Sequence, residues 1–321
     1  MSARITMGVH INQTHMDFRL VKRICKAAEE LGFDFVTLMD HFRPFPSSPP
    51  KKGNMLECWT TLGALAVETQ KIKIGTLVSC ASYRNPALLA KMAACLDHIS
   101  EGRLKFGIGA GNHQAEFAEY GIPFDKPRER IRRLEEAIQI IKKLWLKEEA
   151  SFTGKYYTIE QAVCNPKPVQ QPHPPIIVGG RGEQFTLKVI AQLADGWNCP
   201  GSFKDYTNKI EILKRHCDKI GRDMKDIQLS WGANVILSAD REKIAQIRPV
   251  RDWDRFIEAS LVGAPDQCIQ KLHQFIDLGV TDFELTFPDT SPYSQGRDRL
   301  PSLESMQTFA EVVLPEFQKR I

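Results

Sequence analysis

Gly75-Thr-Leu-Val-Ser-Cys-Ala-Ser-Tyr-Arg-Asn-Pro-Ala-Leu-Leu-Ala90 is the stretch on which the reading of this chain turns. An apolar run ends in small and polar residues, and Asn85-Pro86 then opens a helix. Asparagine caps free helical amides, and proline suits the first helical position. The same order appears earlier at Met39-Asp40-His41-Phe42 and later at Gly107-Ile-Gly-Ala-Gly-Asn112. In a parallel barrel the loops after the strands' C-terminal ends line one mouth, so polar residues at such ends are candidates for chemistry.

Working outward, strand-like runs fall near 5–11, 34–39, 72–79, 103–109, 175–179, 195–199, 228–237 and 281–287. Helical stretches are expected at 17–31, 57–70, 86–99, 128–147, 182–193, 203–219, 265–278 and 301–318. Regular alternation of this kind predicts a single-domain (β/α)8 TIM barrel over residues 1–321, with insertion loops. An open doubly wound sheet would carry a phosphate fingerprint after its first strand, and none is present. Leu88, Met92, Leu96 and Ile99 are expected as the buried stripe of the 86–99 helix, and Arg132 with Glu136 as an i,i+4 ion pair on the 128–147 helix. Ala264-Pro265-Asp266 reads as another helix start, closed by Gly279. Three stretches interrupt the rhythm. Residues 41–56 are proline-rich, 149–174 read as a short hairpin followed by extended chain, and 238–262 are charged; the first and third are expected to act as lids.

Composition narrows the function classes. The chain has 321 residues, 42% of them hydrophobic and 26% charged, with 43 basic and 39 acidic residues for a net charge of +4. That mild, dispersed excess argues against a nucleic-acid partner. No apolar run approaches the ~18 residues of a membrane span. The first strand begins almost at once, so a cytoplasmic location is expected. The eight cysteines show no C-x-x-C pair and read as small buried hydrophobes in a reducing compartment. Histidines 10, 15, 41, 98, 113, 173, 216 and 273 are scattered, so no metal site is expected.

The candidate site residues lie at strand ends. His41 can transfer a proton or polarise an acceptor at the barrel mouth, and Asp40, facing away from it, is expected to meet backbone or a neighbouring loop. His10 ends the first strand in a similar position. Gly107, Gly109 and Gly111 would let a flat ligand or a phosphate approach the backbone, with Asn112 as an amide anchor. Ile176-Ile-Val-Gly-Gly-Arg-Gly182 reads as a phosphate turn in which Gly179, Gly180 and Arg181 meet an anion at a helix start. Asn198 ends the sixth strand toward the same mouth. Cys80 has no evident activating base and reads as structural.

Taken together, residues 34–42, 75–124, 164–182 and 194–198 resemble the luciferase-like monooxygenase superfamily, and most closely its coenzyme F420-dependent branch. The resemblance implies a cofactor lying across the mouth, its ring against a bulge within Leu77, Val78 and Ser79. It also implies phosphate on Gly179, Gly180 and Arg181, and Asp40 and His41 near the reactive carbon. The expected activity is hydride transfer between F420 and an unidentified small organic substrate. The alternatives are an FMN-dependent monooxygenase using reduced flavin and oxygen, or a non-catalytic flavin-binding relative. The family also implies a homodimer. In the sugar-phosphate dehydrogenase branch a glutamate follows the glycine run; here that position is Asn112, which cannot donate a proton at neutral pH.

Overall fold

The computed structural model describes residues 4–44, 53–238, 253–288 and 303–318. The strands in chain order are β1 (Thr6–Ile11), β2 (Phe35–Leu38), β3 (Lys73–Thr76), β4 (Ser79–Cys80), β5 (Leu104–Gly109), β6 (Ala150–Thr153), β7 (Thr158–Ala162), β8 (Ile176–Gly179), β9 (Gly196–Pro200), β10 (Gln228–Leu237), β11 (Leu261–Gly263) and β12 (Val280–Thr286). Strands β1, β2, β3, β5, β8, β9, β10 and β12 pair in that order, all parallel, and β12 returns to β1. The sheet is therefore a closed eight-stranded barrel, as the alternation predicts. A parallel connection needs a crossover, and the helices that supply it cover the outer face.

Helices α1 (Phe18–Glu30), α2 (Cys58–Glu68), α3 (Pro86–Ile99), α5 (Pro127–Leu146) and α7 (Phe203–Asp218) fall where the periodicity places them, α6 (Thr186–Leu193) starts later than expected, and Pro265–Asp277 and Leu303–Val312 close the ring. Local chemistry explains their starts. Asp17, Glu57, Asn85 and Ser202 each accept a first-turn amide through the side chain. Ala264 cannot do so; there the Gln267 side chain reaches back 2.9 Å to the Ala264 N–H.

Four details differ from the sequence reading. The buried face of α3 is Leu89, Ala90, Ala93, Ala94 and Leu96, whereas Leu88 and Ile99 are about half exposed. Small alanines let α3 pack closely on α5, and periodicity alone placed the stripe one residue off. Arg132 pairs with Glu129, because Glu136 instead accepts the backbone amides of Lys155, Tyr156 and Tyr157 from the β6–β7 hairpin. The helix expected from 182 begins at Thr186, and a short helix α4 (Gln114–Glu119) stands where none was expected. The hairpin expected within 149–174 is present as β6–β7. Residues 45–52 and 239–252 of the two expected lids lie outside the described residues; the rest of the second stretch forms helix Trp253–Glu258 and strand β11, which pairs with β10.

All eight cysteines are free thiols, seven of them buried. Among the described residues no helix is long and apolar enough to cross a membrane.

Candidate functional site

Because every barrel strand is parallel, the ends of β2, β3, β5, β8 and β9 share one rim. That rim holds a pocket of about 320 Å³ whose wall includes Leu77, Val78, Gly179, Gly180 and Asn198. With His10 from β1, six of the candidate residues, from four separate stretches, therefore meet at one cavity. The peptide bond between Leu77 and Val78 is cis, within the segment where the resemblance places a bulge.

The glycine runs serve this bulge more than a ligand. A Cβ on Gly107 would lie 2.2 Å from the Thr76 carbonyl oxygen, and one on Gly109 or Gly179 would lie 2.7–2.8 Å from a Val78 methyl. The space left by these missing side chains is filled by the protein's own third strand. Gly232 differs: a Cβ there would meet nothing closer than 3.9 Å, so this part of the wall is open.

Asp40 and Ser79 sit behind the pocket, fully buried. Both Asp40 oxygens accept from the Arg84 guanidinium at 2.6 and 3.0 Å, and Oδ2 also takes the Ser79 hydroxyl at 2.8 Å and the Cys80 amide at 3.1 Å. A bidentate guanidinium pair is geometrically exacting, so Asp40 ties the end of β2 to β4. Burial pushes the Cys80 thiol up to about 12, and it stays protonated.

His41 belongs to a cluster that its sequence position does not reveal. Its Nδ1 lies 2.7 Å from Glu116 Oε2, and the His113 Nδ1 lies 3.4 Å from the same oxygen. Glu116, on α4, is fully buried. It also accepts the Tyr83 hydroxyl at 2.6 Å and the backbone amides of Phe42 and Arg43 at 2.7 and 3.2 Å. Burial alone would raise this carboxyl; the His41 ring, the Tyr83 hydroxyl and the Phe42 amide more than offset it and hold it at about 2. An ionised partner at Nδ1 places the His41 proton on that nitrogen. The ligand atoms of His41, His113 and Glu116 lie within 4.8 Å of one another, so histidines that look scattered along the chain converge here.

The remaining candidates stand apart from the pocket wall. Asn112 is exposed beside α4, and Arg181 is half exposed, 3.6 Å from Asp205. The Gly180 N–H is taken by the Asn198 carbonyl at 3.2 Å, so it is not available to an anion. Among the described residues the next two amides, of Arg181 and Gly182, have no backbone partner. Asn198 donates to Ser230 at 2.9 Å.

The residue reading missed Glu116, Tyr83 and Arg84 and, across the pocket floor, Glu284. The pattern Asp282-x-Glu284-x-Thr286 was a usable signal, since alternation in a barrel strand turns every second residue inward.

Comparison with known proteins agrees with the barrel fold. An F420-dependent glucose-6-phosphate dehydrogenase of Microbacterium testaceum is 29% identical over 328 residues, covering 91% of each chain. An uncharacterized protein of Mycobacterium tuberculosis is 31% identical over 236 residues, 74% of this chain and 71% of the relative. A solved F420-dependent secondary alcohol dehydrogenase in complex with an F420-acetone adduct superimposes with a TM-score of 0.83 at 20% identity, over 99% of this chain and 100% of that one. A monooxygenase from Streptomyces bottropensis superimposes with a TM-score of 0.78 at 21% identity, over 98% and 100%. The luciferase-like monooxygenase family model matches residues 1–259, and the chain belongs to that family.

Proposed function

We propose that this protein is an oxidoreductase that moves a hydride between coenzyme F420 and a small organic substrate. The observation that carries the reading is a rim pocket that joins the bulged end of β3 to the Gly179-Gly180 turn, with the His41–Glu116 cluster on the same rim. The open wall at Gly232 leaves room for a flat ring, and Leu77 and Val78 offer it an apolar support. The unpartnered amides of Arg181 and Gly182, with the Arg181 guanidinium, suit the cofactor's phosphate. Bound F420 would supply a two-electron hydride donor or acceptor; the protein supplies orientation and electrostatics. His41, fixed by Glu116, polarises the substrate oxygen. Asp40 acts through Arg84, Ser79 and Cys80, holding the strand end against which the ring rests. The named activities of the full-length relative and of the structural neighbour support the cofactor class. The sugar phosphate is not carried over, because the resemblance implies an acid at the position where this chain has Asn112.

Fluorescence titration tests this reading: F420 is expected to bind more tightly than FMN. Gly232→Val, which fills the open wall, is expected to weaken F420 at least about tenfold, or ~1.4 kcal/mol, while the thermal midpoint stays unchanged. Binding of FMN alone would replace the proposal with the reduced-flavin monooxygenase reading.

A further inference from the structure

The barrel interior holds a column of polar groups in place of the branched apolar layers usual in this architecture. At one end, the Lys105 ammonium donates to both Asp282 oxygens at 2.8 Å and lies 3.6 Å from Glu284 Oε1. That Glu284 oxygen is buried and has no hydrogen-bond partner among the described residues. The other, Oε2, accepts from the Thr37 hydroxyl at 2.8 Å, and Thr37 Oγ1 lies 3.0 Å from His10 Nδ1. His10 and Glu284 line the mouth pocket. Lys105 and Asp282 line a second cavity, of about 390 Å³, at the N-terminal ends of the strands. The column therefore joins the two ends of the barrel through side chains from β1, β2, β5 and β12.

We propose that His10, Thr37 and Glu284 form a proton relay serving the mouth pocket, with Glu284 as the group that holds the proton and Lys105 and Asp282 as the charged pair beside it. The proposal rests on the oxidoreductase reading, in which a hydride leaving or reaching a substrate carbon is accompanied by one proton at the attached oxygen. In the oxidising direction the substrate O–H proton passes to His10 Nε2. The Nδ1 proton passes to Thr37 Oγ1, and the Thr37 proton passes to Glu284 Oε2. One proton enters and one rests on Glu284; His10 ends neutral with its proton moved from one ring nitrogen to the other. Bound deazaflavin would take the hydride, and the reverse sequence would serve reduction.

The charges facing this chain suit it. Around Glu284 stand Lys105 from β5, Asp282 from its own strand and His10 through Thr37; His41 in turn acts on His10. Two carboxylates share one ammonium, so the second negative charge is poorly compensated. Burial first, then Asp282, push Glu284 up to about 7 against the pull of Lys105. Burial and the neighbouring His41 hold His10 down at about 4, so it stays neutral while Glu284 titrates.

The test needs neither substrate nor cofactor. Protein labelled with 15N histidine is titrated by NMR, and its protonated carboxyls are followed by infrared difference spectroscopy, between about pH 5 and about pH 9. One buried carboxyl is expected to lose its proton near neutrality, and Glu284→Gln is expected to remove that band. His10 is expected to change tautomer, from Nε2–H to Nδ1–H, with the same midpoint. The near-isosteric Thr37→Val is expected to leave the carboxyl band in place and uncouple the tautomer from it, which a merely structural threonine would not do. A His10 tautomer unchanged across the titration, or a Glu284 ionised throughout it, overturns the relay. The F420 titration of the wild type decides the cofactor reading separately, so the two failures are distinguishable. With an identified substrate, Glu284→Gln is expected to slow kcat about 100-fold, the lower end of general acid–base effects, and to delete the ionisation near neutrality from the pH profile; an unchanged profile counts against the relay.

Discussion

Two buried carboxylates at this barrel, Glu116 on the rim and Glu284 on its inner wall, behave in opposite ways. Both side chains are closed off from solvent, and Glu284 lies deeper inside the protein. Glu116 receives two backbone amides, a phenol and an imidazole, and is held at about 2. Glu284 receives one hydroxyl and a distant share of a lysine that Asp282 holds more closely, and is pushed up to about 7. Burial penalises both charges, that of Glu284 the more, and the number and placement of donors widen the difference. The rim thus keeps a fixed anion that orients His41. The interior keeps a carboxyl poised to exchange a proton.

Removing the rim carboxylate should have the largest effect. Glu116→Ala strands four donors around an empty site and is expected to cost about 3–5 kcal/mol in urea unfolding at neutral pH. Because the folded value lies below the ordinary one, the wild type should also lose about 3 kcal/mol as pH falls from about 4.5 to about 2, and the variant should not. A cost below about 1 kcal/mol would erase the contrast between the two sites.

Glu284→Gln should act in the other direction and less strongly. A raised folded value means that the native state holds an extra proton between about pH 4.5 and about pH 7. Wild-type stability is therefore expected to decline as pH rises through that window. The variant should lack the decline and exceed the wild type by about 1–3 kcal/mol near pH 8. Denaturant midpoints at several pH values measure it, and parallel curves for the two proteins would show Glu284 ionised like an ordinary carboxylate.

Tyr83→Phe sharpens the comparison with the smallest change. It deletes one donor to Glu116 and keeps the ring, which packs 4.5 Å from Phe42. The carboxyl is expected to rise by about one unit while remaining below its ordinary value, at a cost of about 1 kcal/mol. Carboxyl NMR titration reads the shift directly. No shift would mean that the amides and imidazole alone set the value.

Much of the architecture was legible in the residues. Strand–rim–helix punctuation at 39–42, 75–90 and 107–112 is local information, and local rules recover it: Asn85 caps, Pro86 starts a helix, Gly279 ends one. The α3 stripe went wrong because alanine carries little hydrophobic signal yet packs where backbones come close. The site was half legible. Leu77, Val78, Gly179 and Gly180 share the pocket because each ends a strand or follows its end, whereas Asn198, expected to end its strand, reaches the pocket from the middle of β9. Glu116 and Arg84 were not visible, since their partners are 75 and 44 residues away.

Period and punctuation along the chain determined the parallel barrel and the rim on which its chemistry sits, because both arise from interactions between near neighbours. Tertiary closure decided the charge states. A strand's alternation can show that Asp282 and Glu284 face inward, but the protonation of Glu284 depends on Lys105 and Thr37 arriving from across the barrel.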